Sequence, residues 1–252
     1  MDARGVIEAL GLPAGALVEQ RVPKKLLLEN GGPTGADKKH ISGGIEELFW
    51  VAALKPNTIG VPEFSDAERE YLEIAVLRLT VRPEAKAARL IELVHRAIPY
   101  PLLLAVEQGT RVTVTAAHKR RAHNEADRTV LDGEVISADW AAGDGAPPPG
   151  EFREALALER QPRGSLLVLY RGWVDTLSAF RAARITGSFR QAAGPEEARA
   201  RERALAECAR LEAEMGRLRA AAKREKQMPR LVELNMKLKR LEAAHAASRA
   251  ML

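Results

Sequence analysis

Residues 71–121 constrain the fold more than any other stretch. In order they give an alternating apolar run (71–81), an amphipathic run (85–98), a Pro-Tyr-Pro corner (99–101), an apolar run (102–106), a turn at Gln108-Gly109, and a second alternating run (111–118). That order predicts strand, helix, strand, hairpin, strand. In 71–81, Leu72, Ile74 and Val76 share one face, and Tyr71, Glu73, Ala75, Leu77, Leu79 and Val81 the other. Two largely apolar faces predict a central strand covered on both sides. In 111–118, Val112, Val114 and Ala116 oppose Thr113, Thr115 and Ala117, so one face of that strand is expected to be wet.

The flanks read less sharply. Residues 5–12 predict a short helix, and 17–29 fit either a strand or a turn of helix. Thr34, with Asp37 three residues on, resembles a capping box. The helix after it is expected to continue past Gly43-Gly44, because Ile41, Ile45, Leu48, Phe49 and Ala52 fall on one face. Each of those glycines costs about 1 kcal/mol relative to Ala inside a helix. Residues 58–61 predict a short strand, and 129–140 a strand with a turn at Asp132-Gly133. Glycines and prolines over 141–150 mark a linker. Helices are expected at 152–159 and 164–185. In the tail, Cys208, Leu211, Met215 and Leu218 step by three and four, as do Leu231, Leu234, Leu238 and Leu241. The two seams are out of phase and Pro229 lies between them, so two helices are expected. An antiparallel hairpin would bury both seams, and a dimeric coiled coil is the rival. The fold class is α+β: a mixed sheet domain (1–140), a linker (141–150), a helical extension (151–187) and a hairpin or coiled coil (195–252).

The chain has 252 residues, a net charge of +5 and a pI near 9.5. A single cysteine, Cys208, excludes an intrachain disulfide and a cysteine-built metal site. No apolar run approaches the ~20 residues that span a bilayer, and the N-terminus lacks signal-peptide features. A cytoplasmic protein with no membrane role is expected.

No catalytic signature emerges. The five histidines are scattered, and His118 and His123 sit among Lys and Arg that repel a cation. Neither GxxxxGK[ST] nor GxGxxG occurs, and no metal or cofactor is expected. A metal-dependent nuclease wants an acid on one strand and acid-x-Lys on the next. Glu73 is followed at 75 by Ala, and Glu107 at 109 by Gly. A degenerate nuclease would rest on Glu73 and Lys119, while the plainer reading pairs Glu73 with Lys119 as an ion pair. The cluster His118, Lys119, Arg120, Arg121 and His123, joined by Lys24, Lys25, Lys38 and Lys39, is the expected phosphate-contacting surface. From Arg190 onward there are fifteen Lys/Arg against nine Asp/Glu, a surplus that alternating solvated helix faces would also explain.

Val22-Pro23-Lys24-Lys25, Ala36-Asp37-Lys38-Lys39, Ala97-Ile98-Pro99-Tyr100-Pro101, Ala117-His118-Lys119-Arg120 and Glu225-Lys226-Gln227 together carry a resemblance. Over residues 20–242 the chain resembles a prokaryotic family catalogued as a domain of unknown function. That family is encoded near DNA methyltransferases and helicases in restriction-like defence loci. The family has no known active site, and Pro229 departs from its pattern. The resemblance implies a non-catalytic accessory or adaptor subunit of a DNA-modification or phage-defence complex. Its expected partners are a methyltransferase or helicase subunit, DNA or RNA, and a second copy through the tail. Leu211, Met215, Leu218, Leu234, Leu238 and Leu241 would form the partner interface. A homodimerisation scaffold is the other alternative.

Overall fold

The structure, a computed structural model, describes residues 1–122, 125–141 and 150–252, with side chains omitted at 125–128. The expected linker lies almost wholly outside them, as does His123. Two compact units result, Met1–Leu177 and Ser178–Leu252.

The first unit runs α1 (Ala3–Ala9), β1 (Leu17–Arg21), α2 (Lys24–Glu29), α3 (Gly35–Gly44), β2 (Ile45–Leu54), α4 (Pro56–Ile59), β3 (Phe64–Ser65), β4 (Glu70–Tyr71), β5 (Ile74–Val81), α5 (Ala87–Ala97), β6 (Leu102–Gln108), β7 (Arg111–Ala117), β8 (Lys119–Ala122), β9 (Glu125–Leu131), β10 (Ile136–Ala141), α6 (Gly150–Ala155) and the first half of α7 (Leu166–Thr186). Six strands form one mixed sheet in the order β1-β2-β5-β6-β7-β10. Only β5 and β6 are parallel, as the intervening α5 requires. β3–β4 and β8–β9 are separate ribbons.

The sheet is an α+β core covered on both faces. Ala75, Leu77, Leu79, Leu102 and Leu104 pack with Leu90, Ile91 and Val94 of α5. On the opposite face Trp140 of β10 meets Phe152 of α6 edge to face at 5.9 Å, and its indole N–H donates to the Met1 carbonyl at 2.8 Å. The Thr face of β7 is therefore not wet. Thr115 is buried, bonded to His95 Nε2 at 2.9 Å under α5.

Three local expectations are corrected. The helix after Thr34 stops at Gly44, and residues 45–54 form β2 between β1 and β5. Gly44 brings its backbone against the next layer: a Cβ there would lie 2.9 Å from Ala85 Cβ and from Leu90 Cδ1. Residues 56–59 make one helical turn rather than a strand, with Pro56 in the first turn and Gly60 closing it at φ 65°. Residues 17–29 hold a strand and then a helix, where either alone was expected. The capping box is present: Thr34 Oγ1 accepts from Asp37 N at 3.2 Å, and Thr34 N donates to Asp37 Oδ2 at 3.0 Å. β1 carries a bulge against β2, and within it Glu19 adopts φ 51°.

In the second unit α8 (Pro195–Arg224) and α9 (Met228–Arg249) form an antiparallel hairpin. Arg219 bonds Glu242 at 3.0 Å, and His245 bonds Glu212 at 3.0 Å. Pro229 sits in the first turn of α9, where it costs no hydrogen bond. Its phase break is the turn itself: Glu225 accepts from Lys226 N and Gln227 N, each at 2.8 Å. Cys208, Leu211 and Met215 are buried, and Leu218, Leu234, Leu238 and Leu241 are half-buried. Of the expected partner seam, Leu211 and Met215 are thus covered within the unit, while its other four leucines stay partly exposed.

Candidate nucleic-acid interface

Two members of the expected basic cluster, Lys119 and His118, do not add to a basic surface. Lys119 opens β8 with its side chain turned into the protein, 2% exposed. Its ammonium donates to the His95 carbonyl at 2.6 Å and to the Ile98 carbonyl. Those are carbonyls from the last turn of α5 and its C-cap, which have no partner within the helix. Burial pushes the Lys119 pKa down to about 7, while the carbonyls and the negative helix end favour the ammonium. Lys119 is a helix cap, and it does not pair with Glu73. Glu73 lies beside Lys55 at 3.1 Å instead. The pair on which a degenerate nuclease would rest is therefore not assembled. Among the described residues no three His, Cys, Asp or Glu are grouped to hold a metal.

His118 is half-buried and bonds the Tyr71 hydroxyl through Nδ1 at 2.7 Å. Burial, and then Arg171 and Arg69, lower its pKa to about 4. It stays neutral at pH 7 and adds no positive charge. Arg121 fastens the β3–β4 ribbon, donating to Glu70 Oε1 at 2.7 Å, to the Asp66 carbonyl at 3.0 Å and to Ser65 Oγ at 3.2 Å. Arg120 donates to the Arg121 carbonyl at 3.2 Å. Nearby, Arg69 clasps Asp132 at 2.5 and 3.1 Å, an ion pair that no local sequence signal announces.

The other four lysines are scattered in role. Lys24 donates to the Ser42 carbonyl at 3.1 Å, and Lys25 pairs with Glu29 at 3.6 Å. Lys38 and Lys39 are exposed on α3. A cavity of about 1100 Å³ opens beside Lys119, lined among others by Gly31, Glu92, His95, Arg96 and Glu134. Its charges are largely spoken for, since Glu92 takes Arg89 at 2.6 Å and Arg96 at 2.8 Å. His95 is fully buried there, its pKa lowered by burial and then by Lys119 to about 3. Its Nδ1 has no hydrogen-bond partner among the described residues.

A basic surface exists elsewhere, at the turn of the hairpin. Residues 217–240 contain nine Lys/Arg against two Asp/Glu, all but Glu225 among these charged groups being exposed. Arg219 is paired with Glu242 and Lys237 with Glu233. Arg217, Lys223, Arg224, Lys226, Arg230, Lys239 and Arg240 form no ion pair among the described residues. Toward the other end of the hairpin, α8 follows the solvated pattern, with Arg199 on Glu196 and Arg210 on both Glu207 and Glu214. The surplus of the tail, visible as a count, is thus concentrated at one end. Met228, Val232 and Met236 are also exposed there, at 67%, 53% and 56%, spaced by four along α9.

No helix among the described residues is long and apolar enough to cross a membrane. No curated protein and no solved structure matches the chain. A family model does match, over residues 10–244, and by that match the chain belongs to the family described as Domain of unknown function (DUF4391).

Proposed function

We propose that this chain is a non-catalytic accessory protein that contacts nucleic acid beside a DNA-modifying or helicase partner in a phage-defence complex. The observation that carries the reading is the division of charge. In the sheet unit's basic cluster Lys119 is engaged in capping and Arg121 in fastening a ribbon, whereas seven cations at the hairpin turn have no ion-pair partner among the described residues. Cations left exposed without acids between them suit a polyanion and neutralise phosphates without reading bases. Glu73 and Lys119 have other partners, which supports a role without catalysis. For partner docking the outward Met228, Val232 and Met236 are more exposed than the half-buried leucines of the seam. Fluorescence anisotropy of the full chain against labelled DNA and RNA tests the reading. Binding should weaken at least tenfold between about 50 and 200 mM salt. No binding, or binding indifferent to salt, would remove it.

A further inference from the structure

We infer that the hairpin turn, residues 217–240, is the contact surface and that its ligand is the paired-strand backbone of a nucleic-acid duplex. This rests on the nucleic-acid role proposed above and names its site and substrate class.

Three observations point to a duplex. First, single strands are held by grooves in which bases stack on aromatic rings, yet residues 195–252 contain no Phe, Tyr or Trp. Second, the surface is the outside of two helices joined by a tight turn, and its cations are spread along both. Arg217 to Arg224 spans roughly 10 Å and Arg230 to Arg240 roughly 15 Å at 1.5 Å per residue. Cations held on two rigid helices over that length meet several phosphates of a stiff duplex at once, whereas a flexible strand would first have to be ordered. Third, two adjacent helices with side chains measure about 20 Å across, wider than the ~12 Å major groove. The turn therefore rests on the sugar-phosphate ridges, and sequence-independent binding follows. DNA and RNA duplexes share this chemistry, and the measurement separates them.

The exposed Met228, Val232 and Met236 also raise a membrane surface as a ligand. The stripe covers only two helical turns and Lys239 continues the same face, so the polyanion is favoured.

The test titrates the full chain against a blunt DNA duplex, the matching RNA duplex, a single strand of equal length, and vesicles containing phosphatidylserine. The probe variant replaces four exposed turn cations: Lys223→Gln, Arg224→Gln, Lys226→Gln and Arg230→Gln. A control variant carries Lys24→Gln, Lys25→Gln, Lys38→Gln and Lys39→Gln in the sheet unit. Wild type should prefer a duplex to the single strand, with a salt slope near −6 if all seven cations meet phosphates. The turn variant should lose about 3 to 4 units of that slope and bind more than tenfold more weakly, with unchanged circular dichroism. The control should bind like wild type. Wild-type binding that survives the turn variant, that prefers the single strand, or that goes to vesicles instead would overturn this inference. A wild type silent towards every nucleic acid would sink the proposed function itself, and this site with it.

Discussion

Arg89 on α5 holds Asp37 on α3 with both ends of its guanidinium, Nε to Oδ1 and Nη2 to Oδ2, each at 2.8 Å. Asp37 is also the third residue of the Thr34 capping box, so one carboxylate closes a helix start and ties it to the layer over the sheet. Arg89 first, and then Thr34, hold the Asp37 carboxyl far below its ordinary value of 3.8. The stabilisation from this carboxylate is therefore complete above that value and lost as acid protonates it below. In urea unfolding, wild type should lose stability more steeply than Asp37→Asn as the pH falls below about 4. Parallel acid curves for the two proteins would contradict this.

Removing the other half of the cap gives a second measure. Thr34→Ala leaves the Arg89 pair in place and deletes the acceptor for the Asp37 N–H. A loss of about 1 kcal/mol is expected from chemical denaturation.

Lys119 gives a dependence of opposite range. Burial lowers its pKa from 10.5 to about 7. Between those values the unfolded chain binds more protons than the folded one, so stability should rise with pH from about 7 towards 10. Lys119→Met should lack that rise. At pH 7 it should also lose roughly 2 kcal/mol, since the His95 and Ile98 carbonyls lose their donor. Equal pH slopes in the two proteins would show that the side chain keeps its ordinary affinity for protons.

The adjacent glycines at the end of α3 should respond with opposite signs. A Cβ on Gly43 meets nothing within 4 Å, so Gly43→Ala should raise stability by up to about 1 kcal/mol. A Cβ on Gly44 strikes Ala85 and Leu90 at 2.9 Å, so Gly44→Ala should cost about 1 to 3 kcal/mol. Melting temperatures of the two variants decide the matter.

Tyr170 offers a buried test. Its hydroxyl donates towards the Leu102 carbonyl at 2.8 Å, lies 3.0 Å from the Ala117 carbonyl, and accepts the Ala117 N–H at 2.8 Å. Tyr170→Phe leaves those strand-end groups buried and unpaired, at a cost of about 1 to 3 kcal/mol by denaturant unfolding.

The strand–helix–strand–hairpin order was legible because residues 71–117 hold each period for a full element, broken by Pro99, Pro101 and Gly109. Residues 45–54 were not legible as a strand. Ile45, Leu48 and Ala52 satisfy helical spacing, and the strand wins only because β1 and β5 satisfy its backbone on both edges. The role of Lys119 was hidden for a similar reason. Its acceptors lie more than twenty residues upstream, and nothing local distinguishes it from Arg120 beside it. The hairpin was readable from the out-of-phase seams and Pro229. That its unpaired cations gather at the turn needed coordinates, because a charge count carries no address.

The bulge in β1 sets a limit on how this molecule meets its neighbours. An even, flat margin on a six-stranded sheet would offer hydrogen-bonding groups in a regular row, on which another chain could lay a strand of its own. At Glu19 the row is interrupted and twisted away. At that rim the sheet is a poor template for addition, so crowding should not readily turn this protein into fibrils from that side.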